Sequence, residues 1–519
     1  MANFAKSSFL DGFDVPEITH ETIKKQIVKS HTSQSYKKSS SIEKMPLSER
    51  LKYIEQEVYK ILGRYKGFVR VIRSKEDLNA YIDNAIKNVY LSFDTETNNS
   101  LDPLTCKLMG LCMYVPNTRP VYVPINHCVP GTDILLENQV TMEDVKEVFQ
   151  KLKDSDVKMI YHNGKFDIRV CYNTSGVYLP IWWDTMIAAQ LIDENELARL
   201  KQQYKLHIDP TVGSYNIEKL FTGLPYAWVS PDVFALYAAI DAYDTYGLQQ
   251  YQYEIFSSPG LERLYNLFQT VEVPVVIATA KMEDAGVCLD TEFLEKLDSK
   301  CKKELERYSN ELQEILVPYE QSIRYYQNTG KLDSPVNFDS PPQLNIVLYD
   351  ILKTPVIEEF GRSTDKATLK ALKTPFTKAL LEYRHFGKLI SSFTEPLPKL
   401  ISVKDGKIHA NFNQMGAEDN NVRTGRFSST NPNLQQIPSK DITVRLMFKA
   451  STEYADIEEK DNCFVVEESS DVSVNGDWLR AKLIKVGDAI DVVDDAIESK
   501  VTVTKIEKDG KSFKIYFNR

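Results

Sequence analysis

Between residues 89 and 125 three apolar runs of strand length follow one another, VYLSF, LMGLCMYV and PVYVPI. A helical pattern, EDVKEVFQKL, comes next, and then a fourth apolar run, VKMIYH. Such runs suit buried strands, whereas the pattern between them has the 3.6-residue period of an amphipathic helix. Further helices read out around IWWDTMIAAQLI and along PDVFALYAAIDAYDTYGLQQYQYEIF, with Ser230 placed to cap the latter and Pro231 in its first turn. Three strands, a helix, a strand and then helices admit few arrangements. Helices must cover the faces of the sheet, which is an α/β layout.

The chain is too long, at 519 residues, for a single core. Changes of character place five segments. Residues 1–50 form a flexible basic arm rich in Ser and Lys, and 51–258 the α/β domain. Residues 259–399 are mainly helical, with TEFLEKLDSKCKKELERYSNELQEILVPYE the clearest amphipathic run. Residues 400–450 are mixed. Residues 451–519 form a small β-rich domain in which VTVTKIEKDGKSFKIYF reads as a hairpin about Asp509-Gly510. The terminal strand of that hairpin is expected to leave an open edge on which a partner chain could add a strand.

No run of eighteen apolar residues offers a membrane span, and the N-terminus lacks the apolar stretch of a secretory signal. Seven scattered cysteines with no CxxC pair imply reduced thiols, hence a cytoplasmic protein, or one in the host cytoplasm if viral. The net charge of −10 does not argue against a nucleic-acid partner. Residues 451–519 hold ten Lys/Arg against sixteen Asp/Glu and so carry −6 of it.

Chemistry gathers in the α/β stretch. Asp94 and Glu96 follow VYLSF two residues apart, so they share a face and converge at the expected edge of the sheet. Two hard oxygen donors suit Mg²⁺ or Mn²⁺, although DxE alone also describes a strand end with solvated acids. In YHNGKFD, Asn163 would cap the following helix and Asp167 would face back to the sheet. Tyr237 and Asp241, four residues apart, share a helical face. An acid among the apolar residues of FALYAAI is costly unless it meets a cation. Asp244 competes for the same role, and the YxxxD spacing favours Asp241.

In this order, DxE, NxxxD and YxxxD resemble the signature of the DEDDy 3′→5′ exonucleases, a ribonuclease-H-like family. The resemblance implies phosphodiester hydrolysis assisted by two divalent cations, Mg²⁺ or Mn²⁺. It assigns Asp94, Glu96 and Asp241 to the first ion. Asp94 also bridges to the second, which Asp167 supports, often through water. Tyr237 would position the attacking water, and Asn163 would lie near the terminal nucleotide. His162 would pack or hydrogen-bond rather than act as a base. Asp184, in WDTM, would start a helix.

Downstream, the chain resembles family A (DNA polymerase I type) DNA polymerases. VEVPVVIATAKMEDAGVCLD is similar to their exonuclease–polymerase connection, and SPPQLNIVLYDIL with LLEYRHFGKLISSF to their thumb. Thr424-Gly425-Arg426-Phe427-Ser428-Ser429, then Asn431-Pro432-Asn433-Leu434-Gln435-Gln436, then Arg445 and Phe448, resemble the start of the palm, with Phe427 and Gln436 as in phage-type members. Between Arg423 and Ala450 five Lys/Arg face Asp441 alone, which suits a grip on primer-template DNA. The resemblance puts Arg426 at the primer terminus in the minor groove and Ser428, Ser429, Gln435 and Arg445 among the DNA contacts.

After Ala450 the pattern stops. No DYSQ-like string, fingers helix or His-Asp-Glu triplet follows, and no histidine occurs beyond His409. The expectation is that a second polypeptide supplies palm and fingers and that this chain does not polymerise alone. VSVNGDWLRAKLIKVGDAI resembles the opening of Hint (intein-like) modules. Cys463 lies away from the expected junction, Ser451 stands nearer it, and the TxxH histidine is missing. The tail is thus either a dock for the partner chain or a stranded insertion. Three functions stay open: the proofreading part of a polymerase, an independent exonuclease, or a DNA-binding module.

Overall fold

The computed structural model describes residues 43–210, 212, 217–417, 420–421, 425–437 and 442–449, together with the backbone of six strands between Cys463 and Asn518. The arm expected over 1–50 lies outside the described residues up to 42. The chain divides into two compact units, Met1–Ala285 with Ala410–Gln435, and Gly286–His409 with Gln436–Arg519.

Among the described residues the first unit runs from helix α1 (Leu47–Leu62) to β1 (Arg70–Val71), α2 (Lys75–Asn88), β2 (Tyr90–Thr97), β3 (Leu108–Tyr114), β4 (Val121–Pro124) and α3 (Met142–Lys153). Then come β5 (Lys158–Tyr161), α4 (Gly164–Ser175), β6 (Trp183–Asp184), α5 (Thr185–Ile192), α6 (Leu200–His207), α7 (Pro231–Phe256) and α8 (Val273–Ala285). The sheet order is β1-β4-β3-β2-β5-β6. β2 runs antiparallel to β3 and parallel to β5.

Two expectations change here. The strand of VYLSF ends in Asp94-Thr95-Glu96, as expected, and stops at Thr97, but it lies in the middle of the sheet rather than at its edge. What leaves the acids accessible is the short reach of β5, which pairs with β2 only from Tyr90 to Ser92. Alternation along the strands sorts the two faces. Leu91, Phe93, Leu111 and Met113 pack with Leu78 and Ile82 of α2, Val148 and Phe149 of α3 and Ile168 of α4. Cys112, Tyr114 and Tyr122 face the other way, against Ile54 and Val58 of α1 and Phe234 and Ala238 of α7. α7 is buried nearly all round, as its almost uniform apolarity requires. Ser230 stands at its N-cap position without a capping hydrogen bond from its side chain, and Pro231 fills the first turn as expected.

The segment Ala410–Gln435 contributes β9 (Asn411–Asn413), the small hairpin β10 (Gly416–Ala417) and β11 (Asn420–Asn421), and β12 (Ser428–Thr430). β12 pairs antiparallel with β9.

In the second unit, β7 (Val287–Leu289) leads into the long helix α9 (Thr291–Leu316), and α10 (Pro375–Leu389) packs with it around Leu312, Leu316, Phe376 and Leu380. β8 (Lys407–Ile408) and β13 (Phe448–Lys449) flank β7 in a three-stranded sheet. The tail strands β14 (Cys463–Glu467), β15 (Asp471–Val474), β16 (Asp477–Arg480), β17 (Ala489–Asp494), β18 (Ile497–Asp509) and β19 (Ser512–Asn518) form a sheet of order β14-β19-β18-β17-β15-β16. β18 and β19 pair with Asp509 opposite Ser512, the register expected of a hairpin there. The terminal strand is not an open edge, because β14 pairs along its other side. The edges are β14 and β16.

Candidate active site

Asp94 stands opposite Cys112 across the β2–β3 ladder, and Glu96 opposite Gly110. All four therefore belong to the α7 side of the sheet. A carboxylate oxygen from each of Asp94 and Glu96 lies with Cys112 Sγ inside 4.8 Å. Burial, then Glu96 and Asp94, push the Cys112 thiol well above its usual range, so it stays protonated. The donors available to a cation are hard oxygens, which fit Mg²⁺ or Mn²⁺ and not a thiolate-seeking metal.

Asp167 reaches the same place from α4. Its Oδ1 accepts from the Thr95 amide at 2.8 Å and from Thr95 Oγ1 at 2.6 Å. That amide is open to it because β5 has already parted from β2. Burial pushes the Asp167 carboxyl up to about 7 against the two Thr95 hydrogen bonds, which pull it down. Asp94 is driven well above the carboxylate range by burial and then by Asp167, Glu96 and Asp241, with Lys201 opposing. The acids of all three sequence elements thus act on one another electrostatically. Four carboxylates so placed favour cations strongly.

The turn that aims α4 departs from the expected cap. Asn163 adopts a left-handed backbone, φ 63°, and its side chain caps nothing. Asp184 does the work instead: its carboxylate accepts from the amides of Asn163 (3.1 Å) and Gly164 (2.8 Å) at the start of α4. It also accepts from Met186 (2.9 Å) and Ile187 (3.4 Å) at the start of α5. The structural part expected of Asp184 is therefore doubled. His162 Nδ1 lies 2.8 Å from Thr185 Oγ1, and burial pulls its pKa down to about 3, so the ring is neutral.

On α7, Tyr237 and Asp241 keep part of their surface open while their neighbours are buried. The Tyr237 ring is fixed edge-on by Phe221 and Phe234, at centroid distances of 6.1 and 6.0 Å. A cavity of about 50 Å³ adjoins it, lined in part by Arg64, Tyr65, Lys201 and Asp244. Lys201, on α6, donates to Asp241 Oδ1 and, at 3.0 Å, to Asp244 Oδ2. Asp244, the competitor of Asp241, is the deeper of the two at 4% side-chain exposure against 27%. Burial lifts its pKa to about 6, with Lys201 lowering and Asp241 raising it. Neither Thr95 nor Lys201 stood out in the sequence. The threonine was in plain view inside DTE, whereas one lysine in ARLKQQYKLH carries no signal.

The residues expected to touch DNA divide. Arg426 and Gln435 are exposed, as is Arg445 in the second unit. Ser428 is half-buried, 3.5 Å from Asn413 Nδ2. Ser429 does not fit the expected phosphate contact. It is 1% exposed, donates to the Pro432 carbonyl at 3.1 Å and accepts from the Leu434 amide at 3.3 Å, so its hydroxyl holds its own loop.

Residues 69–251 match the model of the 3′-5′ exonuclease family, and residues 302–463 that of DNA polymerase family A. DNA polymerase I of Borreliella burgdorferi is 30% identical over 388 residues, 73% of this chain and 39% of that protein. DNA polymerase I of Synechocystis is 29% identical over 422 residues, 78% of this chain and 39% of that protein. The chain thus spans about two fifths of the length of these relatives. The thermostable DNA polymerase I of Thermus aquaticus is 37% identical over 185 residues, covering 34% of this chain and 20% of that one. A solved structure, the POL domain of Pol1 from M. smegmatis in complex with DNA primer-template and dNTP, shares the fold at a TM-score of 0.54 and 22% identity. It covers 74% of this chain and 59% of that one. The polymerase match runs past Ala450 to residue 463, beyond the last motif that the sequence pattern offers. The chain thus joins a stretch that matches the 3′-5′ exonuclease family to one that matches part of DNA polymerase family A.

Proposed function

We propose that this chain removes nucleotides from single-stranded 3′ ends of DNA, as the proofreading part of a family A polymerase in replication. The observation that carries the reading is the meeting of acids from β2, α4 and α7 within the stretch that matches the exonuclease model. Asp94, Glu96 and Asp241 would hold one divalent ion, and Asp94 with Asp167 a second. Bound there, two such ions supply charge stabilisation for the attacking and leaving oxygens. The chain's own residues do the rest. Tyr237, braced by Phe221 and Phe234, orients the water through its hydroxyl. Asn163 lies near the terminal nucleotide, and Arg426, Ser428, Gln435 and Arg445 serve the primer-template. The test is degradation of a 3′-labelled single strand in Mg²⁺ or Mn²⁺. Asp94→Ala and Asp241→Ala should abolish it while the fold survives, and wild-type rates in both would end the assignment.

We also infer that nucleotide incorporation requires palm and fingers from a second polypeptide, acting in the cytoplasm of the cell or host. One observation favours an inserted module in the tail. The polymerase match ends at residue 463, where β14 begins. A Hint-like module inserted there would begin near Cys463 rather than at Ser451. Co-expression with a polypeptide bearing the missing motifs tests both ideas. Incorporation should appear only with both chains, and mass spectrometry would reveal a ligated product if the tail is excised.

A further inference from the structure

Lys201 holds two carboxylates of α7 at once, Asp241 through Oδ1 and Asp244 through Oδ2. The two partners differ in depth. Asp244 is 4% exposed and Asp241 27%, while the lysine itself keeps 41% of its side chain open. A buried carboxylate deprived of its cation is strongly destabilising. Asp244 therefore keeps the ammonium where it is, whatever arrives at Asp241. The charge is also felt beyond these partners, opposing the carboxylates at Asp94 and disfavouring a charged His162.

We propose that Lys201 is a positioning residue of the nuclease: anchored on Asp244, it ties down one oxygen of Asp241, leaves the other for the reacting centre and keeps a permanent positive charge beside the acids. The inference rests on the exonuclease reading and deepens it. Asp241 sits on a helix face with an open side, and a single carboxylate there could turn about its side-chain bonds. A hydrogen bond to one oxygen selects one orientation in advance, which is how a group that never touches substrate raises a rate. Asp244 thereby gains a part in the reaction that its burial alone would not disclose.

The test uses the full chain and three variants, Lys201→Met, Lys201→Arg and Asp244→Asn, each checked for a native melting transition. Cleavage of a single-stranded oligonucleotide gives kcat and KM, and calorimetric titration with Mn²⁺ gives metal binding apart from activity. In Lys201→Met, kcat should fall about 10- to 100-fold with KM changed by less than about threefold. Mn²⁺ binding should hold or tighten, because a repelling charge is gone. Lys201→Arg should recover most of kcat. Asp244→Asn frees the ammonium for Asp241 alone, so Mn²⁺ binding should weaken severalfold and kcat fall. Parallel losses of melting temperature, kcat and Mn²⁺ affinity in Lys201→Met would overturn the proposal, as would a wild-type kcat in that variant. A wild-type chain without nuclease activity would instead remove the exonuclease reading, and the opposite Mn²⁺ shifts of Lys201→Met and Asp244→Asn would still report on the lysine.

Discussion

Gly110 stands opposite Glu96, and a Cβ added there would come within 2.4 Å of the Tyr122 ring. Tyr122 cannot easily give way, since its hydroxyl lies 2.8 Å from His127 Nε2 and its ring packs on Phe234. Gly110→Ala should therefore cost about 1–3 kcal/mol by overpacking and slow cleavage by displacing the strand under Glu96. Urea unfolding and the nuclease assay check it, and an unchanged midpoint would mean the ring moves freely. His127 makes a second prediction. Its Nδ1 donates to the Val229 carbonyl at 3.0 Å, which makes Nε2 the acceptor for Tyr122. Burial lowers its pKa to about 4, below the unfolded value of about 6.5. The neutral ring thus contributes stability that is intact above about pH 6.5 and is lost as pH falls toward 4, up to about 3 kcal/mol in all. Unfolding measured across that range should show the slope, and His127→Gln should flatten it. None of this was legible in the sequence, because a glycine inside LMGLCMYV and a histidine in PINHCV reveal nothing of the partners that distant segments bring. The acids were legible, since their spacing is local and set by the strand and helix periods.

At the level of elements, the strands and helices of the first unit followed from apolar period, and the surprises lie at their ends. α1 begins at Leu47, inside the Ser/Lys-rich stretch expected to form an arm to residue 50, because Ile54, Val58 and Leu62 form a buried stripe at a four-residue spacing that holds the helix to the sheet. The extension of β2 through two acids contradicts strand propensity, and cross-strand pairing with β3 overrides it. Asn163 looked like a cap by residue type, yet the carboxylate that satisfies the amides comes from Asp184 on β6. No rule of local sequence finds a cap supplied from another strand. Asp184→Ala removes the acceptor of four amides at two helix starts. Each cap is worth about 0.5–2 kcal/mol, and the groups are buried, so a loss of about 3 kcal/mol is expected. Because α4 carries Asp167, cleavage should fall as well. Asp184→Asn keeps an oxygen for the three amides that meet Oδ1 but turns an NH2 toward the Gly164 amide, so it should lose less than Asp184→Ala without matching the wild type. Thermal unfolding of the two variants decides it, and equal losses would mean that the charge matters more than the hydrogen bonds.

On the scale of the molecule, sequence-distant segments of the first unit meet at one buried ionic knot. Glu283 of α8, 1% exposed, takes Lys165 Nζ and Arg169 Nη1 of α4 at 2.6 Å each and also accepts the Phe412 amide of β9 at 2.6 Å. Lys165 returns a bond to the Phe412 carbonyl at 2.7 Å, and Arg169 Nε reaches Asp284 at 2.8 Å. Lys165 and Arg169 flank Asp167 on α4, and β9 pairs with β12, the strand that follows Arg426. The helix that presents an acid to the nuclease site is thus braced by the segment that resembles the DNA grip. Removing Glu283 leaves Lys165 without its carboxylate, the Phe412 amide without its acceptor and Arg169 with Asp284 alone, so Glu283→Ala should cost about 3 kcal/mol. Glu283→Gln, which keeps an acceptor oxygen for the Phe412 amide, should cost less than Glu283→Ala. Hydrogen exchange locates the damage: in Glu283→Ala the amides of Asn411–Asn413 and Ser428–Thr430 should lose protection together with those of α4, whereas β3 should keep its own. If the two strands stay protected while α4 opens, the knot holds the helix but does not couple it to the grip.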